Sequence, residues 1–145
     1  MSYIVNQDII DRVGSKSAAQ LTGDANGDTP VQGVLDEVRL SSEGEVNGYL
    51  ATRYAVPVDL TAHADVAATL KAFTLDIAVY RLHLRRPPVA EDVRNARNDA
   101  VKWLEGVAKG AVDLPAATTP ASSTSDQPTA EWGSSPQDAD RKYMV

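Results

Sequence analysis

The sequence predicts an all-α protein, a small helical bundle of about four helices with a long extended C-terminal arm. Three observations carry this. Apolar residues recur at three- and four-residue spacing through the long stretches before residue 110, the signature of helices that bury one face. Gly and Pro punctuate the gaps between those stretches. From Ala111 to Val145, Ala, Ser, Thr and Pro supply more than half of the residues and no period appears. The organisation expected is a helical domain over residues 1–110 and an arm over residues 111–145.

Asn6 reads as an N-cap ahead of Gln7–Val13, where Ile9, Ile10 and Val13 make one apolar stripe and Gly14 is a C-terminal stop. Ser15 to Leu21 adds a turn or two of helix, capped by Ser15. Residues 22–29 are dominated by Asx residues and Gly and read as a loop. Thr29 then caps a helix with Pro30 in its first position, where a missing N–H costs nothing. Val31, Leu35, Val38, Val46, Tyr49 and Leu50 carry that helix to about Tyr54. Gly44 and Gly48 each lower its intrinsic stability by roughly 1 kcal/mol relative to Ala. Lying four apart, they point to close approach of another backbone.

The segment Ala55–Asp59 breaks the pattern, and the next helix runs from about Ala62 to Arg85. Val66, Leu70, Phe73, Ile77, Tyr80 and Leu84 line one side, and Leu75, Val79 and Leu82 a second. A helix apolar on more than one side is central, and at 1.5 Å per residue this one is about 35 Å long. Pro87-Pro88 ends it. The last helix runs from about Ala90 to Lys109, with Glu91 and Asp92 suiting its N-terminal dipole and Val93, Ala96, Ala100, Leu104 and Val107 as its buried stripe.

Composition removes several function classes. The chain has 145 residues, no Cys and a net charge of -6. Without Cys there is no disulfide scaffold, thiol chemistry or Cys-ligated zinc. An acidic balance argues against binding nucleic acid through overall charge. No stretch is long and apolar enough to span a membrane. The first residues lack a basic-then-apolar leader, so an intracellular protein is expected. Residues 1–110 hold 15 acids and 12 bases, and residues 111–145 hold 5 acids and 2 bases, so the shorter piece is the more acidic per residue.

Candidate chemistry is thin. Asp24-x-Asn26-x-Asp28 begins like a calcium loop, but Thr29 stands where Gly belongs and Leu35 where Glu belongs. His63 and His83 sit at opposite ends of one helix, some 30 Å apart, and cannot share a metal. Nothing resembles a nucleophile elbow, a metalloprotease helix or a phosphate loop. No enzyme, cofactor or metal is expected. The carboxylate pairs Asp36/Glu37 and Glu43/Glu45 read as the solvated face of an amphipathic helix. Asp76 stands mid-helix among apolar residues; either it faces a polar stripe or it pairs with an Arg from another helix or subunit. Arg81, Arg85 and Arg86 form either a basic helix end favoured by the dipole or a docking patch for an acidic partner or DNA phosphates.

The blocks Leu21–Asp24, Asp36-Glu37-Val38, Glu45–Tyr54 (EVNGYLATRY), Leu75–Leu82 (LDIAVYRL) and Trp103–Gly110 (WLEGVAKG), with Pro57 and the short first helix, together resemble the Mu-like phage neck proteins, a head–tail connector or adaptor family of tailed phages. The resemblance covers residues 1 to about 114. It implies a helical bundle assembling as a ring, typically of twelve, beneath the portal in the virion neck. The ring would extend the DNA channel, pass genomic DNA without specific binding, and present a surface to a downstream neck or tail-completion protein. It further implies a C-terminal segment that docks onto the portal.

The arm's composition leads to the same expectation independently. Between Pro115 and Glu131 there is no large apolar residue, so the arm cannot offset its ordering entropy alone. Val112, Leu114, Trp132, Tyr143 and Met144 are then its docking anchors, with Asp76, Arg81, Arg85 and Arg86 as contacts to other subunits or partners. The competing reading is a helical accessory protein that binds an acidic ligand at Arg81–Arg86.

Overall fold

A computed structural model describes residues 2–23 and 28–119. It contains five helices: α1 Asn6–Val13, α2 Ser15–Thr22, α3 Gln32–Leu50, α4 Ala64–His83 and α5 Glu91–Lys109. No strand occurs among the described residues, only one isolated antiparallel bridge between Tyr54 and Thr118. The all-α bundle is therefore the fold, with the short stretch after Gly14 forming a full helix of its own.

The helix termini differ from expectation in physically explicable ways. Val5, not Asn6, caps α1: its N–H donates to the Asp8 carboxylate at 2.8 Å. Asn6 turns away, donating to Asp36 at 2.7 Å and accepting from Arg39 at 3.0 Å, which ties α1 to α3. Gly14, with φ of +92°, both ends α1 and caps α2, and accepts a bond from Ala18 through its carbonyl. A left-handed φ of this kind favours Gly. Thr22 is buried and holds the loop neck, its hydroxyl donating to Ala18 and accepting from the Val31 N–H. Consequently α3 begins at Gln32, two residues beyond Pro30, and ends at Leu50 rather than Tyr54. Asp28 is exposed; residues 24–27 of the calcium-like loop lie outside the described residues.

Helix α4 is the centre, as its two-sided apolar pattern predicts. Leu70 and Ile77 enter one core cluster with Val46 and Leu50 of α3 and Ala100, Leu104 and Val107 of α5. Leu75, Ala78, Val79 and Leu82 enter a second cluster with Ile9 and Ile10 of α1, Ala18 of α2, and Leu35 and Val38 of α3. Twenty residues give α4 a length of about 30 Å. One expectation is overturned. Gly44 and Gly48 lie on the exposed side of α3, and a Cβ added at either would meet nothing within 4 Å. No backbone among the described residues approaches them.

Packing against the helices continues past the end of α5. Gly110, at φ +88°, ends α5, and the chain then turns back across the bundle. Leu114 is 6% exposed and belongs to the first core cluster, with Val112 and Ala116 packed against it. The Leu114 N–H donates to the buried Tyr54 hydroxyl at 2.8 Å, Ala55 donates to Ala117, and Thr119 donates to Arg53. Residues 111–119 are thus a strap that completes the core. Leu114, expected as a docking anchor, is spent inside its own bundle because Leu70, Tyr54 and Leu104 would otherwise lose a buried neighbour.

Leu114→Ala should therefore destabilise the protein by about 2–5 kcal/mol in denaturant unfolding, the range for a buried Leu in a core. A value near zero would mean that the strap lies on the bundle without completing it.

Candidate docking surface

The charged side chains sort into those that join helices and those left facing solvent. Glu43, expected on a solvated face, is 8% exposed and accepts the N–H groups of Tyr3 (2.9 Å) and Ile4 (3.1 Å). One buried carboxylate thereby pins the N-terminal segment to α3. The Tyr3 hydroxyl continues the joint, donating to Asn47 at 2.6 Å and accepting from the Val58 N–H at 3.0 Å. Burial pushes the Tyr3 phenol above its ordinary pKa; the Val58 N–H pulls it back in part, and the Glu43 charge raises it further.

Glu45 is the hub of the opposite face. It accepts from Arg81 of α4 at 2.5 Å and from Arg97 of α5 at 3.0 Å, so one carboxylate ties three helices. Arg97 also lies over the Tyr80 ring at 5.3 Å. The Nε atoms of both Arg residues are buried with no hydrogen-bond partner, so Glu45 is the protein hydrogen-bond acceptor for both guanidinium groups. The solvated-face expectation fails for Glu43 and Glu45 but holds for Glu37, which is exposed. A spacing signal was available: Glu43 falls four residues after Arg39 and three before Val46, on the face that carries Leu35 and Leu50.

Asp76 pairs with Arg12 of α1 at 2.6 Å, which is the pairing with another helix that its position allowed. Arg85 and Arg86 do not form a free basic patch. Arg85 donates to the Leu21 carbonyl at 2.8 Å, and Arg86 to those of Gln20 at 2.7 Å and Gly23 at 2.5 Å. Both satisfy the carbonyls that the end of α2 leaves without helical partners, and their charge suits that negative dipole end. All four residues expected to make partner contacts therefore make intrachain bonds.

Arg53 performs the corresponding task for the strap. It donates to the Val107 carbonyl at 2.9 Å, the Val112 carbonyl at 3.1 Å and the Asp113 carboxylate at 2.7 Å, and its guanidinium lies 5.2 Å from the Tyr54 ring centroid. The Asp113 hydrogen bond raises the Arg53 pKa above its ordinary value. The strap is thereby fixed as far as Thr119, and the arm leaves from a defined point beside Arg53. Trp132, Tyr143 and Met144 lie outside the described residues; Val112 is half-buried against the core.

What the body leaves for a partner is apolar and scattered: Val5, Val31, Leu40, Val56 and Leu84 are the large apolar side chains left substantially exposed among the described residues, Leu40 the most at 60%. Among the same residues no three His, Asp or Glu side chains gather as a metal site, and no helix is long and apolar enough to cross a membrane. Glu43, Glu45, Asp76, Arg53, Arg81 and Arg97 are structural joints, while Glu37, Lys102 and Glu105 are among the charged side chains that face solvent.

The family model described as Bacteriophage Mu, Gp36 matches residues 3–131 of this chain. No curated protein matches it.

Glu45→Ala should cost about 1–3 kcal/mol in denaturant unfolding, because it strands two half-buried guanidinium groups; a change below about 0.5 kcal/mol would mean that the joint carries no weight. The raised Tyr3 pKa favours the neutral phenol in the folded state. Its contribution is present below the unfolded value of about 10 and is lost as pH rises through that value toward the folded one. Between roughly pH 9 and 11 the stability of the parent should fall more steeply than that of Tyr3→Phe, read from denaturant midpoints. Parallel curves would show that Tyr3 does not couple to folding in that range.

Proposed function

The chain belongs to the bacteriophage Mu Gp36 family, and from that premise we propose that it is a structural, non-enzymatic head–tail connector that assembles as a ring below the portal. The observation that carries the proposal is the extent of the family match. Residues 3–131 take in the whole bundle, the strap and the start of the arm, so body and arm belong to one functional pattern. The ring extends the channel through which DNA passes. The net charge of -6 supports a lumen that gives phosphates no counterion-release affinity. The arm reaches the portal, and the strap supports this role by setting where the arm starts. A downstream neck or tail-completion protein meets the other side of the ring, and the assembled protein resides in the virion neck.

The competing reading, an accessory protein that holds an acidic ligand at Arg81–Arg86, has little left to work with. Arg81 is committed to Glu45, and Arg85 and Arg86 to the carbonyls that end α2.

Phage lacking this protein should yield filled heads and separate tails in electron micrographs, and the purified chain should form rings or join portal in sedimentation and negative-stain images. Joined virions from the deletion, together with a chain that stays monomeric and ignores portal, would sink the proposal. A thermal-shift screen with nucleotides and phosphates should leave the melting temperature unchanged; a concentration-dependent rise would favour the ligand-binding reading.

A further inference from the structure

A groove of about 500 Å³ lies at the N-terminal half of α4, within the size range of small-molecule sites. Tyr3, Val58 and Leu60 form one wall, and Ala64, Ala67 and Ala68 with Leu70 of α4 the other, so three of the α4 positions that face it carry only a methyl group. Lys71 borders the groove; its ammonium has three donors and bonds Asp8 at 3.2 Å. None of the joints described above closes it.

We propose that Trp132 of the C-terminal arm docks in this groove on its own chain. Four observations converge on that occupant. The arm starts within reach: Thr119 is bonded to Arg53, and the chain runs from Arg53 to Val58 on the groove wall in five residues, while Asp113 and Leu114 of the strap border a hollow with Asp65, Val66 and Thr69 across the same turns of α4. Trp132 is the first large apolar residue after Leu114. It lies thirteen residue steps beyond Thr119, a reach of up to about 43–47 Å, longer than the whole of α4. Its neighbour Glu131 brings a carboxylate to a site bordered by Lys71. An indole supplies a large apolar surface with one N–H donor, which suits an apolar hollow with polar residues such as Ser2 and Thr61 on its border. A short polar tether also gives the indole a high effective concentration over its own groove, so a contact too weak between separate molecules is populated within one. The arm is thus stowed on the bundle, and any partner that takes up Trp132 must outcompete the groove. This inference concerns contacts within one chain and stands or falls separately from the connector role.

The test uses the full chain with Trp103→Phe, which keeps an aromatic ring against Phe73 and leaves Trp132 as the only indole. Trp132 should show blue-shifted emission and a severalfold lower acrylamide quenching constant than free N-acetyltryptophanamide, unchanged on about hundredfold dilution. Ala68→Arg, at an exposed helix position inside the groove, should raise quenching to the free level with circular dichroism unaltered; Ala64→Arg serves if that variant does not fold. Ala72→Arg, exposed on α4 outside the groove, should change nothing. The proposal is overturned if Trp132 in the parent is quenched like the free indole, if the groove and control variants behave alike, or if protection disappears on dilution, which would place the indole on another copy.

Discussion

Helix α4 must be covered on every side, and most of the architecture answers that constraint. Its buried residues point in several directions, with Leu70 and Ile77 toward one cluster and Leu75, Ala78, Val79 and Leu82 toward another. An amphipathic helix needs one neighbour, whereas this one needs a sheath. Helices α3 and α5 flank it, the α1–α2 pair covers its C-terminal half, and the 54–60 segment with the strap packs against its N-terminal half, where Leu70 is buried while Ala64, Asp65, Ala68, Thr69, Lys71 and Ala72 stay exposed. What that sheath leaves uncovered is the groove beside Ala64, Ala67 and Ala68. This opening is a consequence of the same constraint: the short side chains of Ala64, Ala67 and Ala68 leave room that longer ones would occupy.

Where apolar packing sets the layers, buried charge sets the register. Glu43 accepts two backbone N–H groups, Glu45 accepts two guanidinium groups, and Asp76 accepts Arg12. Partly buried ion pairs add little net stability compared with apolar substitutes, but removing one partner is costly because the other is left unpaired. Their effect is to penalise sliding: a one-residue slip of α3 against α4 would part Glu45 from Arg81. Arg85, Arg86 and Arg53 act alike at chain ends, covering carbonyls that the last turns of α2 and α5 leave without partners. The outer surface then carries the remaining charges together with isolated apolar residues such as Leu40 and Leu84.

The helical content was legible because periodicity is a local property. The centrality of α4, the stop at Gly14, the acidic first turn of α5 and its end at Gly110 all follow from residues within one or two turns of each other. The errors share a different cause. Asn6 has a capping side chain, but it serves α3 because Asp36 and Arg39 lie within reach only after folding. Glu43 and Glu45 look like surface carboxylates until residues some forty to fifty positions away deliver Tyr3, Arg81 and Arg97 to them. Leu114 looks like the start of a disordered-type arm because the segment around it is polar; its burial depends on Tyr54 and Leu104, which no local window contains.

The sequence by itself determined the number and type of long helices, the placement of their apolar faces, the change of composition after residue 110 and the family to which the chain belongs, because each is written in residue type and short-range spacing. Only the tertiary structure decided which charges are joints and which face water, that the bundle extends through the strap to Thr119, and that a groove remains beside the point where the arm departs. Those outcomes rest on pairs of residues far apart in the chain, whose interaction energies depend on burial, and burial is a property of the assembled bundle.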